Sequence, residues 1–267
     1  MNKTNIESRY AAYILVSFFL LATLLLTIGC QEQSDAWEQI VARGVLRVGI
    51  DPTYPPFEVA SESDVYGLDI DLARAIAADL GLEAEFVYFG YDGLYDALAT
   101  NQVDMLLSAL VIVPGRTRDF AYSEAYFNAG EILIVPAADS DIAGMEDLGG
   151  RVVAVELGSQ GHVEATEWAK RVADLTVLPL TDPTAALDAV AAGDADAALV
   201  DSVSGRLYLK DQAGDVLRRV AQPVTVEPYA AVVRIEDEAL LRNLNESLNR
   251  LHNSGELDGI IEAWLGT

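Results

Sequence analysis

Short apolar runs rich in β-branched residues alternate with segments of helical spacing through most of the chain, and the alternation breaks only twice. Val45 to Ile50 reads as a strand, and Leu68, Leu72, Ile76 and Leu80 then recur at the period of a helix that Gly81 closes. Strands at 85–88 and 103–107 flank a helix over 90–100. A second series runs through strands at 151–156, 176–180, 195–200 and 217–220, with helices at 162–172, 183–192 and 202–212 between them. A final strand at 229–235 leads into a long amphipathic helix over 238–252. Strands spaced by helices of this length predict parallel βαβ units, hence an α/β fold. Proline-marked breaks near 136 and 223 divide the chain as A–B–A: residues 37–133 and 226–267 form lobe 1, and 134–225 form lobe 2. The expected architecture is two lobes, each a mostly parallel sheet flanked by helices, joined by a two-segment hinge. Such a hinge closes on a small ligand in the cleft between the lobes.

In open α/β sheets the ligand site lies beyond the carboxyl ends of the strands. Asp51-Pro52-Thr53-Tyr54-Pro55-Pro56-Phe57 follows the first strand, and its three prolines prevent a strand or long helix from continuing. Asp51 and Tyr54 are therefore ligand candidates; turn capping and half-buried packing are the alternatives. Glu156 is a second acid at a strand end, and both acids suit a ligand with a cationic side chain. Asp69 and Asp71 stand at a helix N-terminus, where the dipole and free N–H groups favour acids, so they read as structural.

The first residues carry Lys3 and Arg9, then an uncharged run from Ala11 to Ile28, then Gly29 and Cys30, the one cysteine of the chain. This pattern predicts an export signal over 1–29, a lipidated Cys30 and a polar tether over 30–36. An uncleaved anchor is the alternative, since the run reaches the lower limit for a membrane-spanning helix. In either case the folded part lies outside the cytoplasmic membrane and tethered to it, with no disulfide. Net charge is −25, and removing residues 1–29 leaves 15 basic and 41 acidic side chains. A surface this acidic repels phosphate backbones and excludes nucleic acid as a partner.

Four motifs in order carry a resemblance. They are the Asp51–Phe57 loop; Gly67-Leu68-Asp69-Ile70-Asp71-Leu72; Pro114-Gly115-Arg116 with Ala121-Tyr122-Ser123-Glu124-Ala125-Tyr126; and Ala192-Gly193-Asp194-Ala195-Asp196-Ala197 with Asp201. Together they resemble the extracellular solute-binding proteins, family 3, that serve polar amino-acid ABC importers. The resemblance implies a type II periplasmic-binding-protein fold. It implies a monomer without cofactor or metal, whose partners are an amino acid and the permease and ATPase subunits of an importer. It places Arg116 on the ligand α-carboxylate, Asp201 on the α-ammonium, Tyr54 and Tyr91 beside the ligand side chain, and Ser159 at a carboxylate-binding turn. A zwitterion needs one fixed cation and one fixed anion, so the chemistry agrees.

The chain departs from the family at Ala109–Val113, where Val111 and Val113 replace hydroxyl residues, and at Gln160, which replaces a threonine. Leu110 lies within that stretch and is kept as a ligand contact. Each lost hydroxyl donor to a charged group is worth ~1.5–3 kcal/mol. Arg118 is an alternative fork for the carboxylate. A cyclohexadienyl or arogenate dehydratase on the same fold is the alternative function, with His162 as its acid or base. A sensor that docks on a separate membrane receptor is another.

Overall fold

The computed structural model describes residues 35–61, 64–213 and 216–266. Residues 1–34 fall outside that description, and with them the signal and the lipidation of Cys30. Helix α1 (Ala36–Arg43) opens the fold. The carboxylate of Asp35 accepts the N–H of Trp37 at its start, and Gly44 closes it in the left-handed conformation.

Two five-stranded mixed sheets follow. The first has the order β5-β1-β6-β13-β7, built from β1 (Val45–Ile50), β5 (Glu83–Tyr88), β6 (Met105–Leu106), β7 (Phe120–Asn128) and β13 (Pro228–Arg234). Strands β5, β1 and β6 are parallel, and β13 pairs antiparallel with both β6 and β7. The second has the order β10-β9-β11-β8-β12, from β8 (Glu131–Pro136), β9 (Val152–Glu156), β10 (Thr176–Leu180), β11 (Ala197–Asp201) and β12 (Leu217–Arg219). Here β10, β9 and β11 are parallel and β8 runs against them. A small antiparallel sheet of β2 (Thr53–Tyr54), β3 (Glu58–Ala60) and β4 (Val65–Tyr66) follows β1.

Helices α2 (Leu68–Asp79), α3 (Leu94–Ala99), α7 (Glu238–Ser254) and α8 (Glu256–Leu265) flank the first sheet. Their apolar faces join β1 and β13 in buried clusters around Leu46, Val48, Ile76, Leu98, Val232 and Leu244. Helices α4 (Gln160–Ala169), α5 (Pro183–Ala192) and α6 (Ser202–Tyr208) flank the second sheet. Helix α6 and the turn after it also reach the other lobe: Val203 and Leu207 pack on the first core, and Lys210 donates to the carbonyls of Ala263 and Trp264 at the end of α8.

Sheet membership corrects the first lobe boundary. Glu131–Pro136 is continuous with the second sheet, pairing with β11 and β12, so the crossing lies at Ala129–Gly130 and not at 133/134. The return crossing lies between Arg219 and Pro228. Strand β7 carries no sequence signal for a strand, because its buried positions do not alternate and its pairing with β13 is broken by register shifts. The helix expected over 202–212 is α6 followed by a wider turn at Leu209–Ala213.

Candidate functional site

The loops after the parallel strands gather the candidate residues in two groups. In lobe 1, β1 delivers Asp51 and Tyr54, β5 delivers Tyr91, and β6 leads to Ser108–Arg116. Tyr54 is exposed and stacks on the fully buried Phe57, with centroids 5.6 Å apart. Tyr91 is exposed in a short 3₁₀ turn, Tyr91–Gly93. Arg116 closes another, Pro114–Arg116, and its guanidinium lies over the Tyr95 ring, 4.0 Å from the centroid. The Tyr95 hydroxyl is hydrogen-bonded to that of Tyr122 at 3.1 Å. A flat guanidinium on a ring face is held in orientation while its N–H fork stays open.

Beneath these loops lies a buried acid pair that the sequence reading did not identify. Glu58 and Asp69 are both fully buried. The N–H of Asp51 donates to Ser108 Oγ at 3.0 Å, and that hydroxyl donates to Glu58 Oε1. Asp69 Oδ2 accepts the N–H of Ala109 at 2.7 Å and the hydroxyl of Tyr126 at 3.0 Å. Ala109 has a φ of 46°, the left-handed region, so its conformation depends on these contacts. Burial, then the charge of Asp69, pushes the Glu58 carboxyl far up; burial also raises Asp69, against the donors from Ala109 and Tyr126. Oε2 of Glu58 and Oδ1 of Asp69 have no hydrogen-bond partner among the described residues, and the charge of Asp69 acts on Glu58. A proton held on Glu58 removes one of the two buried charges.

Asp69 lies in the first turn of α2, whose N-cap Gly67 has no side chain, and its carboxylate also serves the Ala109 loop. Gly67 has a φ of 142°, and a Cβ there would stand 2.0 Å from the carbonyl oxygen of Phe57. That close approach lets Asp69 reach across to Ala109. Asp71 instead accepts the indole N–H of Trp264 at 2.8 Å.

In lobe 2, β9 ends at Glu156 and the chain turns into α4. The Ser159 hydroxyl donates to the carbonyl of Glu156 at 2.9 Å and accepts the N–H of His162 at 3.1 Å, capping the helix. The Gln160 side chain turns along α4 to Glu164, at 3.0 Å. Asp201 ends β11 and caps α6, its Oδ1 accepting the N–H of Ser204 at 2.9 Å. Directly opposite Asp201 in the β8–β11 ladder stands Glu131, only 6% exposed. Burial, then the charges of Asp201 and Glu227, raises its carboxyl to about 7, against the N–H of Gly161. Gly161 must lack a side chain, because a Cβ would stand 2.7 Å from Glu131 Oε2 and 2.8 Å from the carbonyl of Leu199. Glu131 is a second acid that the sequence reading missed.

Leu110 is corrected. Its side chain is buried in the first lobe's core, and its carbonyl accepts the N–H of Ala230 at 3.0 Å, so it presents no side chain to a ligand. Its backbone has a different use. The loop through Leu110 is pinned to the hinge exit by that bond, by the N–H of Ile112 on the carbonyl of Pro228 at 3.3 Å, and by a bridge between Val111 and Tyr229. Asp201 is pinned to the hinge entry, since the next N–H, of Ser202, donates to the carbonyl of Gly130 at 3.1 Å.

A family model of the bacterial extracellular solute-binding proteins, family 3, matches residues 46–267. The arginine-binding extracellular protein ArtP of Bacillus subtilis (strain 168) is 28% identical over 231 residues, covering 82% of this chain and 85% of the relative. Among solved structures, an ancestral cationic amino-acid solute-binding protein is 33% identical, with a TM-score of 0.62, covering 85% of this chain and 98% of the other. An ancestral cyclohexadienyl dehydratase is 27% identical, with a TM-score of 0.76, covering 88% of this chain and 98% of the other. The two sheets, the double crossing between them and a match that spans nearly all of the described residues lead to one assignment: the chain belongs to the bacterial extracellular solute-binding proteins, family 3.

Proposed function

We propose that the protein binds a polar amino acid with a cationic side chain between its lobes and delivers it to the permease of an ABC importer. Arg116 forks onto the α-carboxylate and the free oxygen of Asp201 takes the α-ammonium. Tyr54 and Tyr91 flank the side chain, and Asp51 and Glu156 attract its charge. The turn at Ser159–Gln160 offers backbone N–H groups, which stand in for the hydroxyls absent at Val111 and Val113. The observation that carries this reading is the anchoring of the two charged loops at opposite ends of the hinge, one at Pro228–Ala230 and the other at Gly130. A ligand bridging them completes the closed state. In this role the protein acts as a monomer outside the cytoplasmic membrane, held there through Cys30.

Mass spectrometry of small molecules released from the purified, denatured protein, followed by calorimetric titration of the amino acids found, tests the reading. Arginine, lysine or ornithine is expected; tightest binding to glutamate or to an apolar amino acid would sink it. Loss of membrane association in C30A tests the anchor.

A second reading is dehydratase chemistry at His162. Its Nδ1 accepts the N–H of Gly158 at 3.1 Å, which leaves the proton of the neutral ring on Nε2 and fixes one tautomer. Aromatic product formed from prephenate or arogenate, and lost in H162A, would favour it over binding alone.

A further inference from the structure

Behind the hinge lies a cavity of about 240 Å³, lined from lobe 1 by Phe127, Asn128 and Ile261 and from lobe 2 by Ser202, Arg206 and Arg219. Among the described residues no carboxylate lines it. The two arginines act on each other: burial, then the charge of Arg219, lowers the Arg206 guanidinium to about 10. Arg206 donates through Nη1 to the carbonyl of Gly266 at 2.8 Å and lies near the Phe127 ring, 5.9 Å from its centroid, yet its buried Nε has no partner among the described residues. Among the described residues neither arginine has a carboxylate oxygen within 4.0 Å. Asp258 attracts Arg206 from further off, more weakly than Arg219 repels it.

This arrangement is costly in a chain with 42 acidic and 17 basic residues, where a carboxylate is the commonest neighbour a cation could have. Two like charges held together in a half-buried cavity destabilise the fold unless an anion joins them. Guanidinium forks match the edges of a tetrahedral oxyanion, and two of them balance a dianion. We propose that the hinge cavity is a binding site for a tetrahedral oxyanion of the phosphate or sulfate type, held between Arg206 and Arg219. The lining comes from both lobes and from both crossing strands, so the bound anion ties the back of the hinge together. None of the candidate ligand residues of the cleft lines this cavity, and its existence does not depend on which amino acid the cleft takes.

Inorganic phosphate and sulfate are titrated calorimetrically into the full chain, with ionic strength held constant by sodium chloride. Saturable binding is expected in the wild type, unchanged in R116A, and at least about tenfold weaker in R219Q. In parallel, amide NMR shifts of the wild type on adding phosphate should centre on Ser202, Val220 and Ala221. This second measurement holds even if R219Q folds poorly. Three outcomes overturn the proposal: no saturable binding of either anion, binding that survives R219Q but is lost in R116A, or amide shifts centred on Gly158–Gly161.

Discussion

The carboxylate of Asp69 accepts the backbone N–H of Ala109, 40 residues further along the chain, at 2.7 Å. This bond joins the start of α2 to the loop that leads to Arg116. It holds Ala109 in a left-handed conformation that a non-glycine residue seldom adopts. Replacing Asp69 by alanine leaves the Ala109 N–H and the Tyr126 hydroxyl buried without an acceptor, at a cost of about 3 kcal/mol. Urea denaturation of D69A should show that loss, and ligand affinity should fall with it as the loop relaxes. D69N keeps an acceptor oxygen, so its loss should be smaller.

Glu58 gives a pH dependence with a definite sign. Its folded-state proton affinity is raised well above that of an unfolded glutamate, by burial first and by Asp69 second. The folded state therefore keeps a proton that the unfolded chain releases above roughly pH 4.5. Stability is full below that pH and declines as pH rises, by at most about 1.4 kcal/mol per pH unit for one proton. In E58Q the side chain stays neutral at every pH. Denaturation midpoints measured from pH 5 to pH 9 should fall in the wild type and fall less steeply in E58Q.

Glu131 acts in the same direction from the other lobe. Its carboxyl is raised to about 7, so its contribution to stability is lost between roughly pH 4.5 and pH 7. E131Q should match the wild type near pH 4.5 and exceed it by about 3 kcal/mol at pH 8. Thermal denaturation of the two proteins at those pH values is the check.

Arg116 is exposed and rests on a ring face, so its removal should leave the fold nearly unchanged, with about 0.5–1 kcal/mol lost from the cation–π contact. Ligand binding should respond quite differently. R116K keeps the charge but loses the fork and should bind about tenfold more weakly; R116A should lose about a hundredfold. Calorimetric affinities beside thermal midpoints separate the two effects.

The two-lobed fold was legible because its strands and helices repeat with clear periods and its two breaks carry prolines. The positions of Asp51, Glu156 and Asp201 at or just past strand ends were legible from the apolar runs that precede them. Glu58, Asp69 and Glu131 show what was not. Glu58 sits in a three-residue strand, Asp69 in a place that helix-dipole reasoning already explains, and Glu131 one residue past a hinge glycine. Their roles come from contacts with Ser108, Ala109 and Gly161, distant in sequence, and no local pattern encodes such contacts. Leu110 failed for the opposite reason. It lies between candidate positions, yet its side chain follows the core while only its backbone serves the loop.

One measurement tests the pairing of Arg116 with the ligand carboxylate and of Asp201 with the ammonium most directly. L-arginine and agmatine, which lacks the carboxylate, are titrated calorimetrically into the wild type, R116A and D201N. The account predicts that R116A weakens L-arginine about a hundredfold but barely changes agmatine, whereas D201N weakens L-arginine. If R116A weakens both ligands equally, or if L-arginine binds R116A and D201N as tightly as the wild type, the clamp is contradicted.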